Sequence, residues 1–394
     1  MSNVSSSNSQ GVRVPKLRFP GFEGEWEEKA MDDIFEEVIE KSRPDLPVLS
    51  ILQGVGTVLR DNFDRRISYD KANLNSYKAM KKGDFIIHLR SFEGGLECSK
   101  HNGISSPAYK ILRTNCLVSA AYEDYFRSYN FIQGKLSIAV TGIRDGKSID
   151  MPSFWTIKIA MPNIAEQNKI ASFLSLLNKR IEKQQQLVEA LKSYKRGALS
   201  KLFPKKGENT PEYRFRGFTE PWEQRKIKEL FKITRGYVLA ASMTTDKQTE
   251  STPYPVYSSQ TKNDGLMGYY NQYLYENAIT WTTDGANAGT VNFRNGKFYC
   301  TNVCGVLLAD TVAPDQMISQ ALNSVAKNHV SYVGNPKLMN NVMAEITIAL
   351  PESEKERQVI SSILSYYDNL ISSHMQKLDG LQSLKAGLLQ QLFI

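Results

Sequence analysis

The sequence predicts an α+β protein in which two mixed α/β domains are separated by two long antiparallel coiled-coil helices, the whole forming a pseudo-two-fold internal repeat. Two observations carry this. A short aromatic motif and a long helical run with an apolar seam each occur twice, in the same order. The stretches between them do not align with one another and read as short strands separated by glycine-rich turns.

The motif Pro15-Lys-Leu-Arg-Phe19-Pro-Gly21-Phe22 with Trp26 returns 196 residues later as Pro211-Glu-Tyr-Arg-Phe215-Arg-Gly217-Phe218 with Trp222. Ile157-Lys-Ile-Ala-Met-Pro162 matches Ile346-Thr-Ile-Ala-Leu-Pro351, and the helical runs that follow end as Leu202-Phe203 and Leu392-Phe393. In the first run Ile170, Leu174, Leu177, Ile181, Val188, Leu191, Ala198 and Leu202 alternate at spacings of four and three, with Gln184 and Lys195 in the two missing steps. The second has Ile360, Leu364, Tyr367, Ile371, Leu378, Leu381, Leu388 and Leu392, with His374 and Lys385 in the same steps. Both are coiled-coil heptads with polar layers at equivalent places. A proline and an acidic first turn precede each run, Glu166 in one and Glu352, Glu354 and Glu356 in the other, as suits a helix N-terminus and its dipole. About 40 residues at 1.5 Å each give a rod of roughly 60 Å.

These landmarks divide the chain. Residues 1–14 read as a disordered tail, 15–38 as the N-terminal motif segment, 39–157 as the first variable domain, and 158–203 as the central long helix. Residues 204–234 hold a loop-like linker and the repeated motif, 235–346 the second variable domain, and 347–394 the C-terminal long helix. Asp84–His88, Ala108–Leu112, Phe298–Val303 and Gly305–Leu308 are strand-like, and Gly94-Gly95, Asp284-Gly285 and Asn295-Gly296 read as turns.

A chain of 394 residues has room for two or three domains at about 100–200 residues each. With 41% hydrophobic residues it can bury cores, but no apolar run approaches the ~20 residues of a membrane span. The polar start Met1–Gln10 lacks the pattern of a secretory signal, and four cysteines make no disulfide framework, so a cytoplasmic protein is expected. The formal net charge is +8. Residues 1–38 carry −4, 39–157 carry +5, 163–206 carry +7 and 235–346 carry −1. Such a distribution is compatible with a nucleic-acid partner.

Catalytic patterns are missing. Gly142-Ile-Arg-Asp-Gly146-Lys147-Ser148 is one residue short of a phosphate-binding loop and reads as a turn. Cys300 and Cys304 lack a second pair of ligands and read as buried thiols, so no metal site is expected. There is no Asn-Pro-Pro-Tyr methyltransferase motif, no Rossmann glycine pattern and no nuclease pattern, and no cofactor is expected on this chain. What remains are surfaces. In the first variable domain the candidates for phosphate and base contacts are Arg60, Arg65, Arg66, Lys81, Lys82, Arg90, Lys100, Arg144 and Lys147. In the second they are Tyr257, Ser259, Gln260, Lys262, Asn263, Asp284, Asn287, Arg294, Asn302 and Lys337, since Gln and Asn can pair bidentately with adenine. The bland alternative is a non-enzymatic coiled-coil adaptor with two protein-binding heads. Loss of binding with rising salt would separate DNA recognition from it.

Two unlike domains alternating with two like motif-and-helix blocks resemble the specificity subunit of type I restriction–modification systems. The resemblance rests on Leu17-Arg18-Phe19-Pro20-Gly21-Phe22 with Trp26, on Arg214-Phe215-Arg216-Gly217-Phe218 with Trp222, and on Pro162…Glu166-Gln167-x-x-Ile170 with its copy Pro351…Glu356-Arg357-x-x-Ile360. It implies that each variable region is a target recognition domain reading one half of a bipartite double-stranded DNA site. It implies that the helices set the spacer, and that two modification subunits dock on the repeated blocks to methylate adenine with S-adenosylmethionine. Two restriction subunits would join them and use ATP and Mg to translocate and cleave DNA, leaving this chain non-catalytic. The termini, brought together, would complete a second block equivalent to the central one.

Overall fold

The computed structural model describes residues 13–60, 71–88, 95–115, 122–142, 148–205, 207–259 and 262–394, and all that follows concerns these residues. The chain forms two compact units. One takes in the residues up to Gln185 and from Gln376 onward, and the other runs from Gln186 to Met375. Each therefore contains part of both long helices, Ile164–Leu202 and Glu354–Leu392, 39 residues each; they start later than the expected 158 and 347, because Lys158–Met161 and Thr347–Leu350 are strands and Pro162 and Pro351 follow them.

In the first unit the strand Glu27–Ala30 pairs antiparallel with Lys158–Met161, Glu27 facing Met161. A one-turn helix, Met31–Ile34, buries Met31 and Ile34, and the chain enters a four-stranded sheet. Its order is Phe35–Val38, Tyr109–Thr114, Phe85–His88, Glu97–Cys98. The second unit repeats this. Glu223–Lys226 pairs with Thr347–Leu350, the helix Ile227–Leu230 follows, and a six-stranded sheet begins. That sheet runs Phe231–Arg235, Cys304–Ala309, Tyr275–Thr282, Val291–Cys300, Tyr254–Tyr257, Leu266–Tyr270. The first four strands follow the same route in both units although their sequences do not align.

The motif packs identically on a helix end in each unit. Trp26 stacks edge-on against Phe393 at 6.3 Å, and Trp222 against Phe203 at 6.0 Å. Leu17 N–H donates to the Gln391 carbonyl at 3.0 Å, and Tyr213 N–H to that of Lys201 at 2.9 Å. Gly21 and Gly217 turn the motif at φ of +90° and +93°, a region closed to most side chains. Phe19 packs edge-on against Phe173, Phe215 lies beside the second core, and Phe22 and Phe218 are half-buried. The Trp26 backbone N–H donates to the Arg13 carbonyl.

Glu166 and Glu356 do more than face a helix dipole. Both are 1% exposed. Arg18 Nε and Nη2 donate to the two oxygens of Glu166 at 2.8 and 2.7 Å, and Arg214 does the same to Glu356 at 2.8 and 2.8 Å. Each helix start is thus clamped to the motif by a bidentate pair. Side chains also cap the starts, Asn163 Oδ1 accepting from Glu166 N–H and Ser353 Oγ from Glu356 N–H.

The helical seams are buried near the domain cores and looser elsewhere. Leu174, Leu177, Val188, Leu191 and Leu364 are buried, whereas Ile181, Tyr367, Ile371, Leu378 and Leu381 are half-buried. In the first unit Leu388, Leu389 and Leu392 share one core with Ile170 and Leu174. Three strand readings are revised. Asn295-Gly296 is no turn but a bulge inside Val291–Cys300, with Gly296 at φ +74° opposite Asn277 at φ +48°. The strand expected to Val303 ends at Cys300, where the Cys304 N–H bonds back to the Thr301 carbonyl. Tyr109–Thr114 runs two residues past Leu112 because Thr114 still pairs with Phe35.

Candidate nucleic-acid interface

In the second unit four loops interlock at one end of the sheet. Thr301 N–H donates to the Tyr257 carbonyl, Thr283 N–H to Val303, Leu338 N–H to Thr283 and Gly285 N–H to Pro336, all at 2.8–2.9 Å. Five sequence-based candidates, Ser259, Asp284, Asn287, Asn302 and Lys337, converge there. Asn287 Nδ2 donates to the Ser259 carbonyl at 3.0 Å, and Asp284 and Lys337 face each other across an isolated bridge with 3.7 Å between charges. Asn302 is exposed on the connection between Val291–Cys300 and Cys304–Ala309. Tyr237, 61% exposed, joins the cluster through its N–H on the Cys300 carbonyl. Tyr332 at 71% and Val333 at 92% project from the loop between Ser331 and Lys337. Composition did not single these three out, because only the fold reveals that an apolar side chain has no neighbours. Exposed aromatics among amides and a lysine can stack on or wedge against bases.

Arg294 does not belong to that surface. It is 7% exposed; its guanidinium lies 3.7 Å over the Tyr257 ring, Nε donates to Thr280 Oγ1 at 3.1 Å and Nη2 to the Asp264 carbonyl at 2.6 Å. Burial lowers its pKa. Arg294 is a positioning residue that ties the Tyr257 ring to the Asp264 carbonyl. Arg294→Ala is expected to lower stability by roughly 3 kcal/mol, since charged hydrogen bonds contribute about 1.5–3 kcal/mol each. Thermal unfolding of the full chain checks this; a melting temperature within 1 °C of the parent, on the order of 0.3 kcal/mol, would sink it.

In the first unit Asp84 organises a basic turn. Its carboxylate accepts from Lys81 N–H at 2.7 Å and from Arg113 Nε and Nη2 at 2.9 and 2.8 Å. Lys82 N–H donates to Asn102 Oδ1, and Lys100 N–H to Thr57 Oγ1. Lys81, Lys82 and Lys100 are therefore exposed on adjoining turns. Arg60 stands on the neighbouring hairpin, its Nε donating to Ser50 Oγ at 3.1 Å. Arg65, Arg66, Arg90, Arg144, Lys147 and Gln260 lie outside the described residues, as do the side chains of Lys262 and Asn263.

Cys300 and Cys304 are buried, and burial pushes the Cys304 thiol up to about 11. Both are inert thiols by placement. Among the described residues no cluster of His, Cys, Asp and Glu could hold a metal, and no helix is long and apolar enough to cross a membrane.

In each unit the clamp recurs beside a sheet whose loop ends are exposed. Comparison places the chain in a family. The family model of the type I restriction modification DNA specificity domain matches residues 219–383. A Mycoplasma pneumoniae protein assigned as a type I specificity subunit N-terminus is 39% identical over 146 residues, 36% of this chain and 75% of that one. A second type I specificity subunit of that organism is 34% identical over 154 residues, 38% of this chain but 41% of its own length. The solved S subunit from M. genitalium shares the fold, with a TM-score of 0.64 at 14% identity, covering 97% of this chain and 99% of that one. The chain belongs to the specificity subunits of type I restriction–modification systems. The matched model is that of a DNA specificity domain, and its role is DNA target recognition.

Proposed function

We propose that each unit carries one target recognition domain, within residues 39–157 and 235–346, and that each reads one half of a bipartite double-stranded DNA site. The observation that supports this is the pairing of a common frame with unlike loops. The motif, clamp and first four strands recur, while the exposed ends differ, Lys81, Lys82 and Lys100 in one and Asn302, Lys337, Tyr237 and Tyr332 in the other. Phosphate contacts suit the first set, and stacking with amide readout suits the second.

The long helices are the coiled-coil spacer, and the duplicated blocks around Trp26 and Trp222 are the docking places for two modification subunits. Two restriction subunits complete the assembly in the cytoplasm. S-adenosylmethionine, ATP and Mg belong to those partners, where the chemistry occurs. Methylome sequencing of cells with and without this chain tests the reading. A bipartite adenine-methylated motif that disappears on deletion is expected; an unchanged methylome overturns it.

A further inference from the structure

The polar layer at Lys195 and Lys385, positions 190 residues apart, meets a carboxylate in both units, but from opposite sides. In the first unit Lys385 Nζ donates to Asp124 Oδ1 at 2.5 Å, and Asn178 Nδ2 donates to Asp124 Oδ2 at 2.9 Å. In the second, Lys195 Nζ donates to Asp368 Oδ1 at 2.5 Å, and Gln316 Nε2 donates to Asp368 Oδ2 at 2.5 Å. Asn178 and Asp368 are themselves equivalent, 190 residues apart on the two long helices. The acid sits on the variable domain and the amide on the helix in one unit, and the reverse holds in the other.

We infer that this Lys–acid–amide junction is a matching code that selects which variable domain seats on which helix. The reasoning is one of charge counting in a partly dry place. Lys195 and Lys385 are 16% and 24% exposed; Asp124 is 10% exposed and Asp368 37%. One lysine there balances one carboxylate. A domain bearing Asp124 set against the helix bearing Asp368 would put two carboxylates beside one lysine. A domain bearing Gln316 set against the helix bearing Asn178 would leave the lysine with amides alone. Either mismatch costs stability, whereas each native pairing keeps one acid whichever lysine is supplied. The code concerns assembly of the chain and does not depend on which bases are read.

The test is a pair exchange in the full chain. Asp368→Asn and Gln316→Glu singly are each expected to lower the melting temperature by about 2–4 °C, and the double variant less than either single. The same holds for Asp124→Asn, Asn178→Asp and their combination. A second measurement reads the code itself. A chain carrying residues 39–157 in place of 235–346 is expected to melt about 2–4 °C higher with Asp368→Asn than without it. Additive losses in the exchanges, or a chimaera that Asp368→Asn fails to stabilise, overturn the inference.

Discussion

Glu356→Ala is expected to be among the most damaging single substitutions in this chain, lowering the stability of the second unit by about 3–5 kcal/mol. The carboxylate is 1% exposed and takes both of its hydrogen bonds from Arg214, whose own side chain is 12% exposed. Removing it leaves a guanidinium in a place where water cannot replace the lost partner. The cost follows from that orphaned charge more than from the attraction itself. At about 2–4 °C per kcal/mol for a unit of this size, the expected drop in melting temperature is on the order of 10 °C. Glu166→Ala should act alike on the first unit through Arg18. Removing both partners, as in Arg214→Met with Glu356→Met, should cost less than Glu356→Ala alone. Differential scanning calorimetry of the three variants decides; a drop below about 2 °C for Glu356→Ala would mean the clamp contributes little.

The second large effect concerns recognition. Replacing residues 39–157 with the corresponding domain of another specificity subunit, retaining an aspartate at the place of Asp124, is expected to change one half of the methylated motif completely and leave the other half as it was. Each unit has its own core. Trp26, Phe35, Phe126 and Phe154 close one, and Trp222, Phe231, Trp281 and Leu322 close the other. Strands, turns and the Lys81–Lys82 loop are held by bonds within the first unit. Among the described residues the two cores are separate clusters. Methylome sequencing reads the outcome directly, and alteration of both half-sites would contradict two independent readers.

Much of the frame was legible because repetition makes position visible. The helix lengths, the polar steps at Lys195 and Lys385 and the loop at Pro204–Pro211 follow from heptad spacing and turn-forming residues. The thiols Cys300 and Cys304 read correctly as buried, since the strand around them is apolar. The candidate interface was legible only in part. Lys81, Lys82, Lys100 and Asn302 stand exposed, but Arg294 does not, because its charge alone says nothing about a guanidinium stacked on Tyr257. Tyr237 and Tyr332 were missed because an aromatic is ordinarily core, and exposure is a property of the fold.

By itself the sequence determined the order of parts: motif, variable domain, long helix, twice over, with the seam and its flaws in register. Such features are local or periodic, and the chain carries them in spacing alone. Tertiary structure decided the rest. Glu166 finds Arg18 across 148 residues, and Lys385 finds Asp124 across 261. The first four strands of two sheets with unrelated sequences take the same order, because strand pairing needs only apolar alternation and a shared anchor, here the long-range pairs of Glu27–Ala30 with Lys158–Met161 and of Glu223–Lys226 with Thr347–Leu350. Charge partners, burial and strand order depend on which distant segments meet, and that is settled by packing the whole chain.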